Sequence, residues 1–320
     1  MPYPASALTV LLASQCAETF SIQDIPHVLH ALIRNGQPLA PHPPQPLVPW
    51  WSFTKTVLCA AALSLVRDGR LALDDPLPQG PFTLRQVLRH QAGLADYGEL
   101  SQYHDAVLHD APAWPVAEML QRLDARRLRY APASQWRYSN VGYLYVAQLI
   151  QRLTHLPLHD ALQQRVLAPL GLSRARLAVT REDLRGVELG QLRAYDPGWV
   201  YHGLLVGPLA EAALLLDRLF SDTLLPQPLL ADMQQAQVLG GPMPGRPWSA
   251  PGYAMGLMVG DVEAGPRLYG HTGSGPGSTV AIYRASEAGN SACCAIFNPG
   301  NDQGQVETRA LEHLRRTLAN

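Results

Sequence analysis

Three short motifs carry side chains that could act together on a carbonyl group. Ser52 and Lys55 stand three residues apart in WWSFTKTVL. On a helix that spacing puts both on one face, with the amine one turn above the hydroxyl. A serine hydroxyl is a weak nucleophile until a base takes its proton. A lysine shielded from water can be that base, because burial disfavours its charged form. The predicted helix begins at Ser52, where free N–H groups and the helix dipole favour developing negative charge.

The second motif is RYSNVGY. If Tyr138-Ser139-Asn140 is extended, Tyr138 and Asn140 project to the same side. A phenol beside an ammonium can shuttle a proton, and an Asn amide can orient both Lys55 and a substrate carbonyl. The plainer reading makes Ser139 or Asn140 the cap of the following helix and Tyr138 a core residue. The third motif is GHTGSGPGS. It alternates His271 and Gly273 on one strand face, with Gly273 leaving space for a substrate against the backbone. Its plainer reading is a hairpin turn with a surface histidine.

Composition singles out the same lysine. The 320-residue chain holds 25 Lys and Arg residues, and Lys55 is the one lysine among them. Arginine serves as a surface cation at any accessible pH, so a lone lysine marks a place that needs a compact amine able to lose its proton. A formal net charge of −1 gives no reason to expect a nucleic acid partner, and Arg126, Arg127 and Arg129 form a local cluster only. No Gly-Lys pair exists, which excludes a Walker A loop. No apolar run reaches the length of a membrane span. Four cysteines are too few and too scattered for a disulfide framework, and adjacent Cys293 and Cys294 should point to opposite faces of a strand. The N-terminus lacks a basic leader, so a cytoplasmic, reduced protein is expected, or a periplasmic one if the chain is a mature form.

The elements that must position these groups follow from periodicity. Residues 17–35 are expected to be helical and closed by Gly36. Six prolines between 38 and 49 make an extended lead-in that cannot be a central strand. A helix runs from Ser52 to about Arg67, with Gly69 as its C-terminal cap. Residues 80–240 show helical spacing, as in Val141, Leu144, Tyr145, Leu149 and Leu153. After Pro251, YAMGLMVGDV, RLYGHTGS, STVAIYRAS and SACCAIFNPG read as four strands with short links, hence an antiparallel meander. Residues 305–319 close the chain as a helix that packs through Val306, Leu311 and Leu314. The expected fold class is α+β: an antiparallel sheet flanked by N- and C-terminal helices, with a large all-helical insertion. Residues 1–75 and 250–320 together form the sheet-containing lobe and residues 76–249 a mainly helical lobe, with the active site in the cleft between them.

In this order, S-x-x-K, Y-x-N and H-T-G resemble the pattern of the penicillin-recognising serine hydrolases. The resemblance is to the class C β-lactamase-like branch, which includes DD-peptidases, D-aminopeptidases and esterases. GRLALDDPL, TLRQVLRHQAGLADY, LAPLGL and the strands from Tyr253 to Asn298 extend it from about residue 50 to the C-terminus. It implies a β-lactamase/transpeptidase-like fold and an acyl-enzyme on Ser52, with Lys55 and Tyr138 as the other catalytic residues. Asn140, His271, Gly273 and Ser274 would hold substrate and network, and the backbone N–H groups of Ser52 and Ser274 would form the oxyanion hole.

Two departures bear on function. The family usually places a strand hairpin before the nucleophile helix, where this chain has prolines, so one sheet edge is expected to be shortened. The third motif carries His271 where β-lactamases of this branch typically have lysine. A largely neutral imidazole attracts a substrate carboxylate less than an ammonium does, so the expected activity is more esterase- or peptidase-like than β-lactamase. The alternative is a binding or sensor protein of the same fold that is at most acylated without turnover. His90 is expected to position the loop after its helix. Trp199, Tyr201 and His202 are cleft-lining, core or surface residues, and Cys59 is core. No metal-ligand spacing occurs, and no cofactor is expected. The expected partner is a small ester, amide or peptide substrate, with no nucleic acid and no membrane; the oligomeric state is left open.

Overall fold

The computed structural model describes residues 29–39, 45–221 and 223–319. Eleven strands are found there: β1 Leu29–Arg34, β2 Gln37–Pro38, β3 Val48–Pro49, β4 Arg176–Ala178, β5 Leu204–Gly207, β6 Gln237–Val238, β7 Trp248–Tyr253, β8 Met258–Val262, β9 Leu268–Gly275, β10 Ser278–Glu287 and β11 Asn290–Pro299. Eight of them form one sheet in the order β2-β1-β11-β10-β9-β8-β7-β6, and β3-β5-β4 form a second. Every pairing between these strands is antiparallel.

The large sheet is a middle layer because its strands alternate between two apolar faces. On β10 and β11, Val280, Ile282, Cys293, Ala295 and Phe297 join the main core. Their neighbours Ala281, Tyr283, Ala292, Cys294 and Ile296 face a second core built with the C-terminal helix. Cys293 and Cys294 therefore point to opposite faces, as their adjacency in a strand requires.

The helices are α1 Thr54–Arg67, α2 Leu84–Leu88, α3 Ser101–Leu108, α4 Val116–Arg122, α5 Asn140–Thr154, α6 Leu158–Leu162, α7 Leu209–Leu219, α8 Gln227–Gln234 and α9 Gln303–Ala319. Helix α9 packs on β10 and β11 from one side, and α7 packs on β11, β1 and β10 from the other. Val306, Leu311 and Leu314 are the buried stripe of α9. Helix α1 is the central helix of the main core and is buried without interruption from Thr54 to Leu65.

The N-terminal element differs from expectation. Of the helix expected over 17–35, residues 17–28 lie outside the described residues, and Leu29–Arg34 form β1 instead. Asn35 and Gly36 both take positive φ, 48° and 79°. That is the left-handed pair that an Asn-Gly hairpin turn needs, and it returns the chain into β2. Gly36 is thus a turn glycine, not a helix cap. The strand is held by β11, in a register from Leu29↔Phe297 to Arg34↔Ala292 that no local pattern encodes. The hairpin before the nucleophile helix is present, and its outer strand is two residues long. The sheet edge is short, as the prolines suggest.

Two further differences lie downstream. The insertion expected to be all helical also carries β4, β5 and β6: β5 pairs with β3 just ahead of α1, β4 pairs with β5, and β6 pairs with β7. The segment 253–262, expected as one strand, is split. Tyr253 ends β7, Gly256 turns at φ 66°, and β8 begins at Met258.

Candidate active site

Ser52 lies in a tight turn, Trp51–Phe53, that runs directly into α1. Trp51 takes a φ of 43°, a conformation disfavoured for any residue with a Cβ, immediately before the hydroxyl. Trp50 N–H donates to the Leu205 carbonyl at 2.8 Å, and Leu205 N–H donates to Thr54 Oγ1 at 3.1 Å. The Trp50 indole donates to the Gly207 carbonyl at 3.2 Å. Strand β5 is therefore tied to the turn on both sides of Ser52.

From below, β9 closes against the same turn. A Cβ on Gly273 would lie 2.6 Å from the Trp50 carbonyl, 2.8 Å from Trp51 Cβ and 2.9 Å from Ser52 N. The space that Gly273 leaves, expected for a substrate, is taken by the backbone that presents the Ser52 hydroxyl. A glycine is required there by close approach.

Two donors converge on the Ser52 hydroxyl. Lys55 Nζ lies 3.3 Å from its Oγ, and the Tyr138 phenol donates to the same oxygen at 3.0 Å. Lys55 is fully buried. Its amine also lies 3.1 Å from His202 Nε2 and 4.9 Å from the centre of the Tyr138 ring. Burial pulls the Lys55 pKa down to about 7, against the nearby Asp96 carboxylate, which favours the charged form. A substantial neutral fraction near pH 7 is what a lysine base needs.

Asp96 was not singled out from the sequence. It is half-buried, and desolvation raises its pKa, while hydrogen bonds from Asn140 and the charge of Lys55 act in the opposite sense. Asn140 donates through its backbone N–H to Oδ1 at 2.8 Å and through its amide to Oδ2 at 3.3 Å. The Asn140 amide, expected to orient Lys55, is spent on holding Asp96. Ser139 caps α5 by accepting from Gly142 N–H at 3.2 Å, as its plainer reading has it.

Tyr138 is placed by His90. The His90 ring lies 4.3 Å from the Tyr138 ring, its Nδ1 accepts from Ser139 N–H at 3.2 Å, and its carbonyl accepts from Arg137 N–H at 3.1 Å. His90 was expected to position the loop after its own helix; these contacts, made from a left-handed residue with φ 58°, are with the segment 137–139.

His271 is not a surface histidine: it is 1% exposed. Its Nδ1 donates to the Thr272 carbonyl at 2.7 Å, and its Nε2 accepts from the Tyr253 phenol at 3.1 Å. Burial, reinforced by the charge of Lys55, pushes its pKa down to about 3, so the ring is neutral. Behind it, Glu307 of α9 accepts from Thr272, from the Trp248 indole at 2.9 Å and from Arg246 Nε at 2.7 Å. That buried carboxylate ties the third motif to the C-terminal helix. Ser274 pairs with Thr279 across β9 and β10.

Of the three residues left open between cleft, core and surface, Trp199 is core and Tyr201 bonds the Trp114 carbonyl at 3.1 Å in an aromatic cluster. His202 alone reaches Lys55. Cys59 is buried core. No group of three or more His, Cys, Asp or Glu side chains suited to a metal occurs among the described residues.

This chain belongs to the beta-lactamase family, whose model matches residues 13–313. It is 25% identical over 237 residues to a lovastatin esterase of Penicillium rubens, covering 59% of each chain. It is 28% identical over 245 residues to a D-aminopeptidase of Brucella anthropi, covering 71% of this chain and 45% of that protein. The chain thus spans roughly half the length of these curated relatives. Among solved structures, a D-stereospecific amidohydrolase from Streptomyces sp. superposes with a TM-score of 0.71 at 22% identity, over 89% of this chain and 94% of that one. The fold is the α+β β-lactamase/transpeptidase-like fold. No helix among the described residues is long and apolar enough to cross a membrane.

Proposed function

We propose that this protein is a cofactor-independent serine hydrolase that cleaves an ester or amide bond through an acyl-enzyme on Ser52. One observation carries the reading: a single hydroxyl oxygen is approached at once by a buried amine and by a phenol, at 3.3 and 3.0 Å. Relatives that bear the names esterase and D-aminopeptidase are in keeping with it.

In this reading the neutral Lys55 amine takes the Ser52 proton as Oγ bonds to the carbonyl carbon. The oxyanion is met by the backbone N–H groups of Ser52 and Ser274, the pair that the family resemblance assigns. Such a donor is worth about 3–4 kcal/mol of barrier. Tyr138 passes its proton to the departing oxygen or nitrogen, which leaves with the electron pair of the broken bond. The Lys55 ammonium then restores the phenol. Water repeats the attack on the acyl-enzyme and returns Ser52. Asn140 acts through Asp96 and His271 through Tyr253. In this reading the reaction takes place in the cleft expected between the sheet-containing lobe and the mainly helical lobe. Buried free thiols at Cys59, Cys293 and Cys294 suit a cytoplasmic setting.

The neutral His271 directs the substrate choice. With that ring uncharged, His271 offers a substrate carboxylate no charge to pair with, and Lys55 is engaged in catalysis. Neutral esters and amides are favoured over β-lactams. The test is a panel of p-nitrophenyl esters, D-aminoacyl amides and nitrocefin, each with a Ser52→Ala control. Short esters should be turned over continuously and nitrocefin poorly. Full ester hydrolysis by Ser52→Ala would sink the mechanism, and a single burst without turnover would favour the acylation-only alternative.

A further inference from the structure

Three buried histidines surround the catalytic amine, and their hydrogen bonds distinguish them. A backbone carbonyl only accepts, so the Thr272 carbonyl fixes the His271 proton on Nδ1. A backbone N–H only donates, so Ser139 fixes the neutral His90 proton on Nε2. Both rings are locked by main chain. His202, 2% exposed, has no such lock. Among the described residues its Nδ1 meets no hydrogen-bonding partner, and its one polar contact there is Nε2 with Lys55 Nζ at 3.1 Å. Strand β5 begins two residues later and is tied to the turn that carries Ser52.

We infer that His202 is a positioning residue for the catalytic lysine: its Nε2 accepts one N–H of Lys55 and thereby turns the amine lone pair toward Ser52. An ammonium has only donors, so Nε2 must accept from it, with the ring proton on Nδ1. A neutral amine has two N–H bonds and one lone pair. If Nε2 keeps one N–H, the lone pair is free to receive the Ser52 proton. If the ring instead carried its proton on Nε2, it would bind the lone pair and quench the base. The same tautomer thus serves both states of Lys55, and no proton needs to move on His202 during the reaction.

This inference rests on the hydrolase reading above, and the Ser52→Ala control separates the two. The experiment compares steady-state ester hydrolysis by His202→Leu and His202→Gln, with thermal melts alongside. The Gln carbonyl can reach the position of Nε2 and accept; Leu fills the space without accepting. His202→Leu should lose about tenfold or more in kcat with KM within about twofold. His202→Gln should stay within roughly threefold of the unsubstituted protein. Equal loss in both variants, or no loss in Leu, overturns the inference. On the unsubstituted protein, nitrogen NMR of labelled histidine, assigned by the peak missing in His202→Gln, should report the proton on Nδ1. A proton on Nε2 overturns it even if the Leu variant fails to fold. Should Ser52→Ala keep its turnover, the hydrolase reading itself falls.

Discussion

Lys55 is an amine whose chemistry is set by where it sits. Burial holds its pKa near 7 while Asp96 keeps it from falling further. In the proposed mechanism only the neutral form is active. The rate kcat/KM should therefore fall about tenfold per pH unit on the acid side of pH 7, and flatten above it. A profile flat down to pH 5 would remove Lys55 from the role of base. Lys55→Arg should be nearly as inactive as Lys55→Ala, since a guanidinium does not deprotonate at neutral pH. Wild-type turnover by the Arg variant would show that the lone lysine is not needed as a base.

At the scale of elements, the site is a junction of four segments: the turn before α1, the start of α5, the segment entering β5, and β9. Gly273 is the narrowest point of that junction. Its missing Cβ would meet backbone atoms of Trp50 and Ser52, not the movable end of a side chain. Gly273→Ala must push β9 away from the nucleophile turn. Misplacement of reacting groups on that scale costs about 100-fold in rate, so kcat/KM should fall by that order. Activity within twofold of wild type would show that the turn can yield. The buried ion pair of Arg246 with Glu307 and its bond from Thr272 support the same strand from the far side.

For the whole molecule, burying neutral histidines makes stability depend on acid. The unfolded His271 has its ordinary pKa of 6.5, and the folded one about 3. Its contribution is present above 6.5 and is lost as pH falls toward 3, because the unfolded chain then binds the extra proton. At pH 5 the loss from His271 alone is about 2 kcal/mol. His90 and His202, also lowered by burial, act in the same direction. Urea unfolding at pH 7 and pH 5 should show this decline, and His271→Asn should reduce it. Equal stability at both pH values would contradict the neutral burial of these rings.

The sequence by itself determined which side chains are candidates for the chemistry and much of the fold. Ser52, Lys55 and Tyr138 were legible as one candidate cluster, which the fold brings together, because motif order and a single lysine are properties of the chain alone. The α9 stripe and the faces of β10 and β11 were legible because they follow local periods. Tertiary structure decided the rest. Gly36 fits a helix cap or a hairpin turn, and only pairing with β11, more than 250 residues away, selects the turn. Asp96 and His202 carry no local signal of function, because a pKa and a hydrogen-bond partner arise from burial and from atoms distant in sequence. The lysine was marked out by counting, but its lowered pKa comes from the core that closes around it.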